Sequence, residues 1–393
     1  MMEAFANELQ SYALQKLGAE LDGRGAVKIP GCVWGTFFEI SCEFADLPVA
    51  TTDVSRLLEE VHGAKKSSML DRDGHSYILL PIDDQYKETI YDCIDKAYEI
   101  VWSKVSDEFR YLISLAKENL ADSILLEKLI DYYKLQEQQT MISQLVKKAF
   151  LLRTSTEEQH IVGQSRIGGC PDLPSDVQWP TFEDKPLAFL GQFNLKEMPP
   201  NIVEGLPVTG LLCCFSAWGW QEYEGGYPDH PDKGYNTQAG WNILWHFPEN
   251  STLNKREIPN GVNGFSGLSI QPEIILSLPN NIRDPHLSKY NLSENTLETF
   301  DRMQSSLRRL QMSRYFGFLE VGYSHHLLGG YPLFQQEFPE QLQDGSRELL
   351  WQLGSDDGNS MYWADDGDIA FYVDVEDLKK GKFSSVWAEC QCG

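Results

Sequence analysis

Several groups of side chains in this sequence have types and spacings that chemistry could use. Asp356-Asp357-Gly358-Asn359 and Asp365-Asp366-Gly367-Asp368 are the densest carboxylate runs. A hard cation such as Ca²⁺ wants about six or more oxygen ligands. The calcium-loop spacing, with Gly after three alternating acids or amides and a Glu beyond it, is absent. The two runs flank Met361-Tyr362-Trp363, predicted as a short strand, so they fall at its opposite ends. Asp-Gly steps also build ordinary turns, which is the preferred reading. Cys390-x-Cys392 could hold a soft metal, but zinc sites use CxxC-type spacing with a second pair. On a terminal strand both thiols would share one face, as core residues do. His325-His326 would point to opposite faces of a strand, and the preferred reading is an exposed loop. No metal and no cofactor is expected.

Nucleophile and nucleotide motifs fail on inspection. Gly264-Phe265-Ser266-Gly267 is one residue short of a nucleophile elbow. Gly23-x-Gly25 leads to Lys28 where a dinucleotide fingerprint needs a third glycine, and no phosphate loop occurs. Arg302, Arg308, Arg309 and Arg314 read as the solvated face of a helix rather than an anion site. The residues name no reaction, and whether the protein is an enzyme is left open. The stretch from Trp218 to His230 is a better surface. It holds Trp220 and Tyr223 among Glu222, Glu224 and Asp229, with turn-forming Gly and Pro and no regular period. Aromatics beside carboxylates suit a basic or carbohydrate-like partner. Equally, Trp218 and Trp220 could fold back as core.

The elements that would position these groups include an internal repeat. Gly168-Gly169-Cys170-Pro171 is followed by a strand ending near Gln192, then Gly210 and the strand Leu211 to Phe215. Gly329-Gly330-Tyr331-Pro332 is followed by a strand ending near Gln352, then Gly367 and the strand Ile369 to Val373. The order matches, so a duplication is expected, with Gln192 and Gln352 equivalent. The two turns are expected near a shared groove. Arg166, Asp172 and Asp356 lie near these turns in sequence and join Gln192 and Gln352 as candidate binding residues. A third such turn, Gly225 to Pro228, lacks the same sequel.

At these residues the chain resembles the YwqG-like family of bacterial proteins of unknown function. The resemblance rests on Ile167 to Pro174, Val177-Gln178-Trp179-Pro180, Pro186 through Leu195, Leu327 to Pro332, Leu349 to Asp357, Met361 to Gly367 and Phe383 to Cys392. It covers roughly three-fifths of the chain and implies a strand-dominated α+β domain. It brings no established reaction and no catalytic residues.

The remaining chain reads as mixed, then helical. Cys32 to Phe44 and Ser76 to Ile82 read as strands. Amphipathic helices are marked by Ile90, Ile94, Ala97 and Val101, by Phe109, Leu112, Ile113 and Ala116, and by a pattern running from Ile124 to Phe150. Beyond Leu152, short apolar runs alternate with turn signals, broken by one helix with Ser293 as its cap and Leu297, Phe300, Leu307 and Leu310 on one face. The expected class is α+β, with residues 1–155 as a mixed or mainly helical domain and 156–393 as a β-rich domain of two related halves.

The 393 residues carry a formal net charge of −25, which repels phosphate backbones and anionic membranes. Nucleic acid and membrane partners are therefore not expected. No apolar run approaches the ~20 residues of a membrane span, and the first ten residues lack a basic secretory start. The eight scattered cysteines read as reduced thiols in the cytoplasm. Two functions follow. One is a non-enzymatic binding or interaction protein with an acidic-aromatic face for a basic partner, for instance in toxin neutralisation by an immunity-like protein. The other is an enzyme or small-ligand binder with a cleft between the repeat units. Oligomeric state is not legible.

Overall fold

The apolar runs expected as strands after Leu152 do form strands, and all of the long ones join a single sheet. A computed structural model describes residues 2–16, 19–21, 27–28, 39–40, 44–70, 76–217, 242–262, 264–280, 283–316, 326–336, 338–383 and 386–392. These residues fall into two compact units. One comprises the chain up to Leu129 together with the segment that starts at Ser306 inside a long helix, and the other comprises Ile130–Ser305 and the chain from Gly322 on.

In the first unit, α1 (Met2–Leu14), α2 (Thr51–Glu60) and α3 (Lys87–Ser103) accompany a four-stranded sheet. Its strands are β1 (Glu39–Ile40), β2 (Phe44–Val49), β3 (Lys65–Leu70) and β4 (Ser76–Pro81), in the order β1-β2-β4-β3. Ile90, Cys93, Ile94, Ala97 and Val101 recur at helical spacing on α3 and are buried. α4 (Asp107–Lys117) starts where Ser106 accepts the Phe109 N–H at 3.3 Å. Most of the expected strand Cys32 to Phe44 lies outside the described residues.

α5 (Asp122–Tyr132) is followed by α6 (Gln139–Leu145) and then β5 (Lys147–Thr156). The helical pattern expected as far as Phe150 thus stops sooner. Ala149-Phe150-Leu151-Leu152 is apolar on both faces and wholly buried, and such a run suits a central strand as well as a helix. The expected boundary near residue 155 falls inside β5.

The second unit contains a ten-stranded antiparallel sheet. Its further strands are β6 (Arg166–Ile167), β7 (Ala188–Asn194), β8 (Leu211–Ser216), β9 (Asn242–Phe247), β10 (Leu268–Ser277), β11 (Leu327–Leu328), β12 (Arg347–Gly354), β13 (Asp368–Asp374) and β14 (Trp387–Gln391). Their order is β9-β8-β7-β6-β10-β5-β11-β12-β13-β14. Short helices α7 (Pro285–Ser288) and α9 (Val375–Lys379) and the long α8 (Glu294–Phe316) connect strands. Ser293 caps α8, accepting the Thr296 N–H at 3.2 Å.

The duplication is written into this order. β5 and β10 pair at the centre, with Gln271 opposite Arg153, Leu268 opposite Thr156 and Ile274 opposite Phe150. A two-fold rotation about the Gln271–Arg153 pair exchanges these partners, and with them β6 and β11, β7 and β12, β8 and β13, β9 and β14. Gln192 pairs with Arg166 and Gln352 with Leu327, so the two glutamines are equivalent. Each long strand carries a register shift at the same place, Phe189/Gly191 and Leu349/Trp351.

This symmetry puts the two Gly-Gly turns at opposite ends of the central strands. A Cβ on Gly169 would come within 3.3 Å of Glu157, and one on Gly330 within 2.7 Å of Ala149. Residues 149 and 157 are about 26 Å apart along an extended chain. The shared groove expected between the turns is therefore not formed. The sheet also curls on itself. β7 and β12 stand five places apart in the order, about 24 Å along a flat sheet. Yet the Phe193 and Trp351 rings meet at 4.9 Å, and Trp351 stacks on Phe371 at 5.7 Å. The space between the halves is filled by this core.

Candidate functional site

Three of the residues singled out in the sequence meet in one buried network. Arg166, Asp172 and Gln192 are each 0% exposed. The Arg166 guanidinium donates to Glu157 Oε1 at 2.8 Å, to Asp172 Oδ2 at 2.8 Å and to the Ile161 carbonyl at 2.6 Å. Asp172 also accepts from the Gly163 N–H and from Gln192 Nε2, and His160 lies 2.7 Å from its other oxygen. Burial pushes the Asp172 carboxyl up, but Gln192, the Gly163 amide and Arg166 outweigh it and hold it below its ordinary value. Gln192 Oε1 accepts the Asp172 N–H in return. A buried ion pair is tolerable only when its remaining donors and acceptors are met, as they are here. The network clamps segment 157–164 onto the first Gly-Gly turn.

Gln352 does the same for the second turn with fewer parts, accepting the Leu333 N–H at 2.8 Å and donating to the Leu333 carbonyl at 2.9 Å. Asp356 belongs to another clasp. It accepts from Thr154 and the Gly358 N–H and lies 3.0 Å from His326 Nε2, whose Nδ1 accepts the Gly354 N–H. Burial raises the Asp356 carboxyl, yet these partners, His326 foremost, leave it lowered. His326 is 7% exposed, so the expectation of an exposed loop histidine fails. Met361 forms only an isolated bridge with Asp356, not a strand. Among the described residues no group of three His, Cys, Asp or Glu is placed to hold a metal. Trp220, Tyr223 and the rest of Trp218 to His230 lie outside the described residues.

Sequence reasoning missed a different cluster. Beside the second turn is a pocket of about 30 Å³, lined among others by Lys147, Asp284, His286, Tyr331, Arg347 and Tyr372. The turn is set by Gly329 and Gly330 at φ +68° and +76°, and a Cβ on Gly330 would meet Ser277 Oγ at 2.8 Å. That hydroxyl instead accepts the Tyr331 N–H at 2.9 Å. Tyr331, 4% exposed, packs edge-on to His286 at 5.4 Å. Tyr372, 2% exposed, comes from β13 and packs on Trp387. Asp284, also 4% exposed, caps α7, and its Oδ1 accepts from both the backbone N–H and Nδ1 of His286 at 2.8 Å.

Asp284, Tyr331 and Tyr372 line this pocket, and no hydrogen bond among the described residues reaches Asp284 Oδ2, Tyr331 Oη or Tyr372 Oη. Burial pushes both phenols up; Asp284 and Glu348 then add to the shift at Tyr331, and Glu389, Asp368 and Asp284 at Tyr372. The cations that line the pocket already have partners. Lys147 pairs with Glu348 at 3.0 Å and lies 4.8 Å from the Tyr331 ring, and Arg347 donates to the Gln341 carbonyl and faces Trp387. These oxygens are not sealed from solvent, so water or a ligand group entering the cavity can supply their partners. The legible signal was the Asp-Pro-His cap and the tyrosine inside the second turn. Only the fold joins them.

An open groove of about 840 Å³ runs along the edge strand β9 past Trp245, Phe247 and Phe383. The chain entering β9, from residue 218 to 241, lies outside the described residues.

Among known proteins, residues 165–392 match a domain of unknown function, DUF1963. No curated protein matches the chain. The match spans more than half of the sequence, and the chain belongs to the DUF1963 family.

Proposed function

We propose that this member of the DUF1963 family is a binding protein with no chemistry of its own, which engages a basic or neutral partner through the pocket at its second Gly-Gly turn. The observation that carries the reading is that Asp284, Tyr331 and Tyr372, whose Oδ2 and two Oη have no partner among the described residues, line one small cavity. A pocket of about 30 Å³ admits one or two waters or the tip of a side chain, not a whole metabolite, which fits recognition of a protruding group on a larger partner. The net charge of −25 draws basic partners in. An immunity-like role against a basic toxin is the form this reading takes. The resemblance to YwqG-like proteins covers the same stretch of chain and supplies no reaction. The protein would act in the cytoplasm, in keeping with free thiols at Cys93, Cys170, Cys213, Cys214, Cys390 and Cys392. No helix among the described residues is long and apolar enough to cross a membrane.

The histidine–carboxylate contacts, which an enzyme would prize, are spent on holding turns. Asp284 caps a helix, Asp172 anchors Arg166, and His326 accepts a backbone N–H. A cleft between the repeat units would need space that Phe193, Trp351 and Phe371 occupy.

The test is titration with a lysine-rich peptide at low and physiological salt, for the wild type and Asp284→Asn. The substitution changes one charge in a large excess, so bulk attraction is nearly untouched. The reading expects binding that weakens with salt and weakens further in the variant. Equal affinity for both proteins would reduce the association to bulk charge and remove the pocket from it.

A further inference from the structure

We propose that the pocket at the second Gly-Gly turn is a receptor for a primary ammonium group, such as a lysine side chain. This rests on the reading of the pocket as the binding site and names its ligand. The argument begins with donors and acceptors. An ammonium has three N–H donors and no acceptor. Three residues that line the pocket carry an oxygen without a partner among the described residues, one a carboxylate and two phenolic, and each can accept. All three residues are more than nine-tenths buried, so a charge-assisted bond here is little weakened by solvent.

Size narrows the class. About 30 Å³ takes a group the size of a water with part of a methylene behind it. A planar guanidinium is wider, with five donors in a fork that three such oxygens do not match. A tetramethylammonium has no N–H to give. The walls suit an alkyl stem, since Phe334 and Phe338 pack together at 5.0 Å beside the pocket and the Tyr331 ring already takes the Lys147 ammonium on one side.

The formal charges lining the pocket, Lys147 and Arg347 against Asp284 and Glu348, sum to zero, so the choice of ligand rests on which of them is left without a partner. Lys147 and Glu348 neutralise each other at 3.0 Å, and Arg347 is drawn toward Gln341 and Trp387. Asp284 shares one oxygen with His286 and keeps the other for the cavity. An anion entering here would face that carboxylate. Both phenols already feel its charge, which adds to the burial that keeps them protonated.

The experiment is a titration with n-butylammonium, followed by calorimetry and by the ring signals of Tyr331 and Tyr372. Butylguanidinium, tetramethylammonium, butyrate and butanol serve as competitors. Asp284→Asn keeps the helix cap, because asparagine caps as well as aspartate. Tyr372→Phe removes one oxygen and leaves the packing. Saturable binding of butylammonium is expected, weakened roughly tenfold by Asp284→Asn and roughly threefold by Tyr372→Phe, with no competition from the other four. If butyrate, butanol or butylguanidinium occupies the pocket as well as butylammonium does, the ammonium inference is overturned and the pocket reading stands. If no probe moves the tyrosine signals and Tyr372→Phe changes nothing, both fall and the cavity holds water only.

Discussion

Arg166 is among the largest side chains buried without any exposure, and its charge is tolerable because Glu157, Asp172 and two carbonyls meet it. Removing one partner of such a pair strands the other. Arg166→Met should therefore cost about 3–5 kcal/mol in denaturant unfolding, far more than a surface arginine. Acid should act through the same groups. Asp172 and Asp356 titrate below their ordinary values, so their contribution is present above the unfolded carboxyl range and is lost as pH falls through the depressed folded values. Stability should drop below about pH 4, and Asp356→Asn should flatten part of that slope. Glu389 works in the opposite sense. Burial raises it to about 7, and its Oε2 is buried with no partner. Its contribution is full below the unfolded carboxyl value and is lost as pH rises toward 7. Glu389→Gln should thus stabilise the protein at about pH 8, by roughly 1–2 kcal/mol given its partial exposure, and change little at about pH 4. Equal effects at both pH values would show that Glu389 is ionised throughout.

At the scale of elements, the turns carry the constraints. Gly168 and Gly381 both have φ near +65 to +69°, but a Cβ on Gly168 would lie 2.4 Å from the Ser266 carbonyl, while nothing lies within 4 Å at Gly381. Gly381→Ala should cost only the backbone penalty, about 1 kcal/mol, and Gly168→Ala at least about 3 kcal/mol in urea unfolding. The glutamine clamps make a second test. Gln352→Leu strands the Leu333 N–H and carbonyl and should cost about 2–3 kcal/mol. Gln192→Leu should cost more, because it also takes a donor from Asp172. Equal costs would mean that the Arg166 network holds Asp172 without Gln192. The glutamine at each strand end was legible as a repeat. That each one clamps the turn of its own half follows from register, since Gln192 faces Arg166 and Gln352 faces Leu327.

For the molecule as a whole, β5 is the element that the sequence pattern obscured. It pairs with β10 along ten residues and with β11 on its other side. A fragment 156–393, cut where helical periodicity gives way to turn signals, loses that strand and opens the sheet at its centre. It should lack the near-ultraviolet signals of packed tryptophan, and extending it back to Ile130 should restore them. Native signals in the shorter fragment would mean that β10 and β11 can close on each other without β5.

The sequence by itself determined the class, the run of strands, the duplication and its glutamines, and the cap of α8. These follow from local rules: two-residue alternation, turn chemistry and capping act over a few neighbours. The turn read at Asp356 is formed, because the Asp356 carboxylate accepts the N–H of Gly358 two residues on. Only the tertiary structure decided that Arg166, Asp172 and Gln192 are interior, since burial of a charge depends on partners from several segments. It alone decided that the two Gly-Gly turns lie far apart, because a two-fold through the central strand pair sends equivalent residues to opposite ends. It alone brought Asp284, Tyr331 and Tyr372 together from a helix cap, a turn and a strand spread over almost ninety positions. No periodicity links residues so far apart; the order of the strands in the sheet does.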